Sequence, residues 1–164
     1  MGLSIMMFAG QDTLRRAMFE AGAAETFSRT AVRSGYLKAD EFGFRGAVET
    51  YSEAGFGDFQ IQELNMRKGF ARITCRDSFE GWSVLTSGKP SRSPVCFYSS
   101  GVLLSFLKNL SDRPDLVAAE TRCIAKGDAA CEFVLGTEQT LREAEVAPAQ
   151  WGPTIKEKAA RLER

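Results

Sequence analysis

The chain contains no histidine. That removes the commonest general base and the commonest transition-metal ligand near neutral pH. It also has no surplus of charge, because 21 basic residues offset 21 acidic ones. Broad binding to nucleic acid or to a membrane surface usually needs a basic excess, so neither is expected, although a local patch is compatible with a zero sum. No run of about 18 apolar residues occurs, so no spanning helix is expected. The segment 1–9 is apolar but lacks a positive leader and a small-residue cleavage site, so it does not read as a signal peptide. No Gly-x-Gly-x-x-Gly follows a strand; Gly55-Phe56-Gly57 stands at a helix end and enters a strand, the wrong order for a dinucleotide fold. Hydride transfer would need a nicotinamide or a flavin, so the chain does not read as an enzyme.

What is present is a globular composition. The 164 residues are 44% hydrophobic and 26% charged, enough for a real core and for one domain. Its body is expected over about 12–136, with a polar tail at 137–164. The expected compartment is the cytoplasm, where thiols stay reduced and clustered cysteines favour metal over disulfide.

Periodicity gives the elements. Asp12 is placed to cap a helix from Thr13 to about Ser34, with Leu14, Met18, Ala21, Phe27 and Ala31 as its stripe, Gly22 as a weak point and Gly35 as a stop. Its small residues (Ala21, Ala23, Ala24) suit core packing or a dimer seam. A second helix runs from about Ala39 to Ala54, with Phe44, Ala47, Val48 and Tyr51 on one face. A hairpin follows: Asp58–Met66, the turn Arg67-Lys68-Gly69, and Phe70–Arg76, in which Ala71, Ile73 and Cys75 share a face. Ser78–Ser83 leaves the sheet, and 88–94 is a loop. Val95–Leu110 is apolar almost all round and reads as a buried helix, stopped by 111–115. Leu116–Ala125 and Ala130–Leu135 form a second hairpin around Lys126-Gly127-Asp128. Thr137–Glu145 reads as a short helix and Trp151–Arg164 as a polar tail. The fold class is therefore α/β of the α+β kind: N-terminal helices on an antiparallel sheet of two hairpins, with a buried helix between them.

Three of the four cysteines fall in this second half. Cys96 starts the buried helix, where free N–H groups and the helix dipole favour a thiolate. Cys123 and Cys131 flank the second turn, and Glu120 lies three residues before Cys123. Three thiolates and a carboxylate suit tetrahedral zinc. Residues three apart point to opposite faces of a regular strand, so sharing one ion requires a bulge between Glu120 and Cys123. Two blander readings stand beside this one: three small buried hydrophobes, or a Cys123–Cys131 disulfide across the hairpin. A single Cys-x7-Cys does not choose among them.

Glu120-x-x-Cys123-x-x-x-Gly127-Asp128-x-x-Cys131-x-Phe133, preceded by the Cys96 helix, resembles the 4-vinyl reductase-type small-molecule-binding domain. Gly55-Phe56-Gly57-Asp58-Phe59 and Arg76-Asp77-Ser78-Phe79-Glu80 fit the same pattern, so the resemblance covers about Asp12–Gly136. It implies helices on an antiparallel sheet, as in subunits of the TRAPP vesicle-tethering complex, and homodimers. In the sensory domains of sigma-54-dependent, aromatic-responsive activators, the positions of Cys96, Glu120, Cys123 and Cys131 bind zinc beside a buried ligand pocket. Those phenol sensors hold the ligand hydroxyl with a histidine and a tryptophan. Here there is no histidine, and Phe79 stands near the tryptophan position, which points to a more apolar ligand than phenol. The ATPase and DNA-binding domains of such activators have no counterpart in these residues.

Candidate walls of a ligand pocket are Phe44, Tyr51, Cys75, Phe79, Trp82, Phe97, Tyr98 and Phe106, with Tyr51, Tyr98 and Trp82 as polar contacts. Ordinary core packing is the plain alternative for each. The function so implied is a zinc-stabilised, cytoplasmic, homodimeric sensor for a small hydrophobic or aromatic molecule, read by a protein partner. The alternatives are a protein-interaction module like the tethering subunits, and an accessory or reductase-like protein of tetrapyrrole metabolism.

Overall fold

The computed structural model describes residues 2–147 and 150, with backbone alone for 2–12. Its elements in chain order are α1 (Gly2–Ala23), α2 (Phe27–Arg33), α3 (Glu41–Tyr51), β1 (Phe59–Asn65), β2 (Phe70–Cys75), α4 (Phe79–Thr86), α5 (Phe97–Ser111), β3 (Val117–Arg122), β4 (Cys131–Gly136) and α6 (Glu138–Glu143). The sheet has the order β1-β2-β4-β3, antiparallel throughout. The expected two hairpins are thus joined through their inner strands, and the mixed helix-and-antiparallel-sheet class holds.

Strand alternation gives the sheet two buried faces. Ala71, Ile73, Cys75, Ala118, Phe133 and Leu135 face the main core with α3 and α5. Phe70, Val117, Ala119 and Val134 face the other way, onto Leu141 of α6 and Val146. The helix α5 is buried at most of its positions, as its all-round apolar sequence predicts. Asp112, in the left-handed conformation at φ 53°, ends it. In α3 the expected stripe Phe44, Ala47, Val48 and Tyr51 is the buried one, and the Asp40 carboxylate caps the helix by accepting the Gly43 N–H at 2.9 Å. Among the described residues, no helix is long and apolar enough to cross a membrane.

The N-terminal helix differs from its sequence reading. Periodicity predicts one helix over 13–34; α1 and α2 stand there instead, parted at 24–26. Asp12 lies inside α1 and caps nothing at its start. Glu25 ends the continuity, because its carboxylate turns forward to accept both the N–H and the hydroxyl of Ser28 and also takes the Ser105 hydroxyl of α5. The stripe is different too: Leu14 is 61% exposed, while Phe19 and Gly22 are buried. Close approach of α5 sets this face. A methyl group at Gly22 would overlap the Tyr98 carbonyl, and one at Gly101 would overlap the Phe19 carbonyl. Gly22 is therefore a helix-crossing point rather than a weakness, and the small residues there serve packing within the chain.

Three further corrections concern the sheet side. The segment 78–83 belongs to a helix, α4. Helix α5 begins at Phe97, with Cys96 as its N-cap. The strand expected over 116–125 stops at Arg122, and Ile124–Lys126 form a 3-10 turn. The tail 151–164 lies outside the described residues.

Candidate metal centre and the aromatic cluster beside it

The second hairpin builds one half of a four-ligand site. In the β3–β4 register Glu120 faces Phe133, but Arg122 already faces Glu132, so Thr121 is an extra residue. This is the bulge that the Glu120–Cys123 spacing requires. Thr121 is tied down by a 2.6 Å bond from its hydroxyl to the Glu132 carboxylate. Beyond it, Cys123 is extended, and the following turn folds back. The Asp128 carboxylate accepts the Cys123 N–H at 2.8 Å, and the Cys131 sulfur accepts the Ile124 N–H at 3.4 Å.

Helix α5 brings the other half. Cys96 at its N-cap places its sulfur 3.9 Å from that of Cys123 and 3.6 Å from that of Cys131; the last pair is 4.0 Å apart. All four cysteines are free, so the disulfide alternative does not hold. A tetrahedral ion with metal–sulfur bonds of about 2.3 Å would set its sulfurs about 3.8 Å apart, and these three distances bracket that value. The ligand atoms of Cys96, Glu120, Cys123 and Cys131 all lie within 4.8 Å of one another, and all four residues are buried. One oxygen of Glu120 accepts the Cys96 N–H at 2.8 Å. Its other oxygen, Oε1, is buried with no hydrogen-bond partner. An orphaned carboxylate oxygen beside three sulfurs is costly unless a cation completes it. The quartet therefore fits a metal ion.

Electrostatics agree. Burial, and then the Cys123 charge, push the Glu120 carboxyl up to about 9. Thiol hydrogen bonds to Cys123 and Cys131, with burial, hold the Cys96 thiol up. Cys123 is held down because Cys131 and Cys96 donate to its sulfur. Left alone, the four groups share roughly one negative charge. A divalent cation at their centre favours ionisation of all four, so its binding releases protons. The Ser78 hydroxyl lies 3.1 Å from the Cys96 sulfur and orients it further.

The same end of α5 enters an aromatic cluster. Tyr98 and Ser99 follow Cys96 by two and three residues. The Glu80 carboxylate of α4, only 5% exposed, accepts their backbone N–H groups at 2.8 and 2.9 Å. Burial raises its pKa. The Tyr51 hydroxyl lies 3.2 Å from the Ser99 hydroxyl, and burial keeps that phenol neutral far above its usual range. Around Tyr51 stand Phe56 at 4.4 Å between centroids, Phe59 at 5.1 Å and Phe106 at 6.0 Å. Phe79 and Tyr98 close the far side of Phe56, at 5.4 and 6.2 Å.

Of the eight candidate pocket residues, Tyr51, Phe79, Tyr98 and Phe106 come together here. Phe44 is fully buried in the main core, and Cys75 is buried opposite Cys131 on β2, its thiol pushed up to about 12 by burial. Phe97 is half-buried with the Arg15 guanidinium 5.5 Å over its ring. Trp82 is 51% exposed. Sequence reasoning misses Phe56, Glu80 and Ser99. The glycines around Phe56 signal only a helix stop, and an acid in a segment not assigned to a helix carries no periodic signal. A separate cleft of about 450 Å³ lies between α1, α5 and β3, lined by Phe19, Leu104, Leu116, Arg16 and Lys108 among others; it shares no residue with the cluster or the quartet.

Residues 73–137 match the vinyl-4-reductase (4VR) domain family. This is the resemblance read in the sequence, and the span includes all four ligands. No curated protein matches the chain. Among solved structures, the chain is similar to the crystal structure of the phenol-responsive sensory domain of the transcription activator PoxR with phenol. That match has 20% identity and a TM-score of 0.61, over 84% of this chain and 71% of that one. It is also similar to a vinyl-4-reductase family protein from Methanocaldococcus jannaschii, at 17% identity and a TM-score of 0.48, over 82% and 76%. At 20% identity the likeness to the PoxR domain is one of fold.

Proposed function

We propose that this chain, whose residues 73–137 match the 4VR domain, is a zinc-stabilised sensor for a small hydrophobic or aromatic molecule. In this reading it is one domain that works in the cytoplasm as a homodimer and passes its state to a protein partner. One observation carries the reading: the N-terminal turn of α5 supplies both a metal ligand, Cys96, and two residues of the aromatic cluster, Tyr98 and Ser99.

Three thiolates and one carboxylate favour zinc over the harder divalent ions. A shell supplied wholly by protein leaves no position for a reacting water, so the role is structural and the protein is not an enzyme. Zinc, when bound, supplies a cross-link between the β3–β4 turn and the start of α5. Glu80 ties α4 to the same turn by its two amide bonds. A ligand that presses on Phe79 or Tyr98 therefore works against a fixed anchor, and its strain passes into α4 and α5. The absence of histidine and the aromatic lining favour a ring with little polar decoration.

The test is thermal denaturation of the metal-loaded protein against a panel of single-ring aromatics and tetrapyrrole precursors. A ligand at a hundred times its Kd stabilises by about 2.7 kcal/mol, so a clear rise in Tm is expected for some aromatics. A flat response to every member of the panel contradicts the sensor reading.

A further inference from the structure

Phe56 sits where a ligand would. Its ring lies on Tyr51 with centroids 4.4 Å apart and planes 10° apart. Phe79 meets it edge-on at 73°, and Tyr98 stands 6.2 Å away. Rings from α3, α4 and α5 thus enclose one ring on three sides. The residue carrying that ring belongs to no regular element. It ends a π-helical turn, Ser52–Phe56, between Gly55 at φ 88° and Gly57 at φ 147°. Single π turns occur often at functional sites. Around Gly55 a methyl group would meet nothing within 4 Å, so glycine serves conformation there rather than space.

The turn is pinned at both ends and free between them. The Ser52 hydroxyl accepts the Phe59 N–H at 3.1 Å, and the Asp77 carboxylate accepts the Asp58 N–H at 2.6 Å. Residues 53–55 are exposed and Phe56 itself is half-buried, whereas Tyr51 and Phe59 are each 6% exposed. Removing the Phe56 ring would therefore open a flat, aromatic-walled space towards solvent without unfolding either neighbouring element.

We propose that the space held by the Phe56 ring is the ligand seat. A single-ring aromatic binds there by stacking on Tyr51, and Phe56 turns outward on its two glycines. The inference takes its ligand class from the sensor reading above but locates the site independently. Phe56 then sets affinity, because the ligand must compete with a tethered ring and binds only the displaced fraction. The nearby polar groups are the paired hydroxyls of Tyr51 and Ser99, so a ligand hydroxyl is tolerated but not required.

The experiment uses the full, metal-loaded chain and 4-fluorotoluene, followed by fluorine NMR. Phe56→Ala is expected to bind the probe at least tenfold more tightly than the natural sequence, and Phe56→Trp at least tenfold more weakly. Should Phe56→Ala fail to fold in a thermal melt, Phe56→Leu, which keeps an apolar side chain but loses the stack, is read in the same way. Equal affinity in the natural and truncated chains overturns the seat and leaves the sensor reading standing. Binding by Phe56→Ala alone supports the seat and removes the sensor reading. No binding by either overturns the seat.

Discussion

One carboxylate oxygen of Glu120 holds the backbone N–H of Cys96 at 2.8 Å, and the other is buried without a hydrogen-bond partner beside three sulfurs. The first oxygen fixes the side chain, and the second is left for a cation. Glu120→Gln keeps the shape and removes the charge. It is expected to weaken metal binding by about 100-fold or more, beyond the 10–100-fold typical of losing an outer partner. Competition with a chromophoric chelator measures this; unchanged affinity would mean that Glu120 is not a ligand.

Cys75 differs from the other three cysteines. It shares the β2–β4 register with Cys131 but lies outside the quartet. Burial holds its thiol near 12, so at pH 8 about one molecule in 10⁴ carries the reactive thiolate. Iodoacetamide mapping by mass spectrometry is expected to show Cys96, Cys123 and Cys131 labelled after chelation, and Cys75 labelled only at the rate of global unfolding. Early labelling of Cys75 would contradict its placement.

Gly101 lets α1 and α5 touch backbone to backbone. Gly101→Ala adds one methyl group where no flexible side chain can yield. Overpacking of this kind costs about 1–3 kcal/mol, and urea denaturation is expected to show a loss in that range. The same substitution at Gly88, where a methyl group would meet nothing but φ is 73°, tests strain without crowding.

Glu80 gives a pH dependence with a definite sign. Burial raises its folded pKa above the unfolded value, so the native state binds the proton more tightly. Its ionisation then costs stability at neutral pH, and that cost is relieved as pH falls through the raised folded value towards the unfolded one. Relative to Glu80→Gln at the same pH, the natural chain is expected to gain stability between pH 7 and pH 5. Comparing the two proteins cancels the titration of the sulfur site. A difference that is flat, or that shrinks as pH falls, would refute the assignment.

The sequence carries the sheet and the quartet well because each leaves a repeating or spaced signal. Alternation in 70–75 and a buried run in 97–110 are properties of single elements, and the need for a bulge follows from Glu120 and Cys123 being three apart. The break at 24–26 leaves no such trace. It depends on Glu25 reaching Ser28 and Ser105, the latter 80 residues away. The buried face of α1 is hidden for the same reason: Leu14 is apolar, but Gly22 and Gly101 decide which side meets α5. The aromatic cluster is half legible. Tyr51 and Phe106 sit on periodic faces, whereas Phe56 is placed by two glycines and an irregular turn, which periodicity cannot see.

Metal content tests the whole account most directly. The full chain, purified without chelator, is expected to show one zinc per chain by native mass spectrometry, and stripping it should lower Tm sharply and restore it on adding back zinc alone. A folded protein that carries no metal, and whose Tm is indifferent to chelator and to zinc, would contradict the cross-link between α5 and the β3–β4 turn on which the account depends.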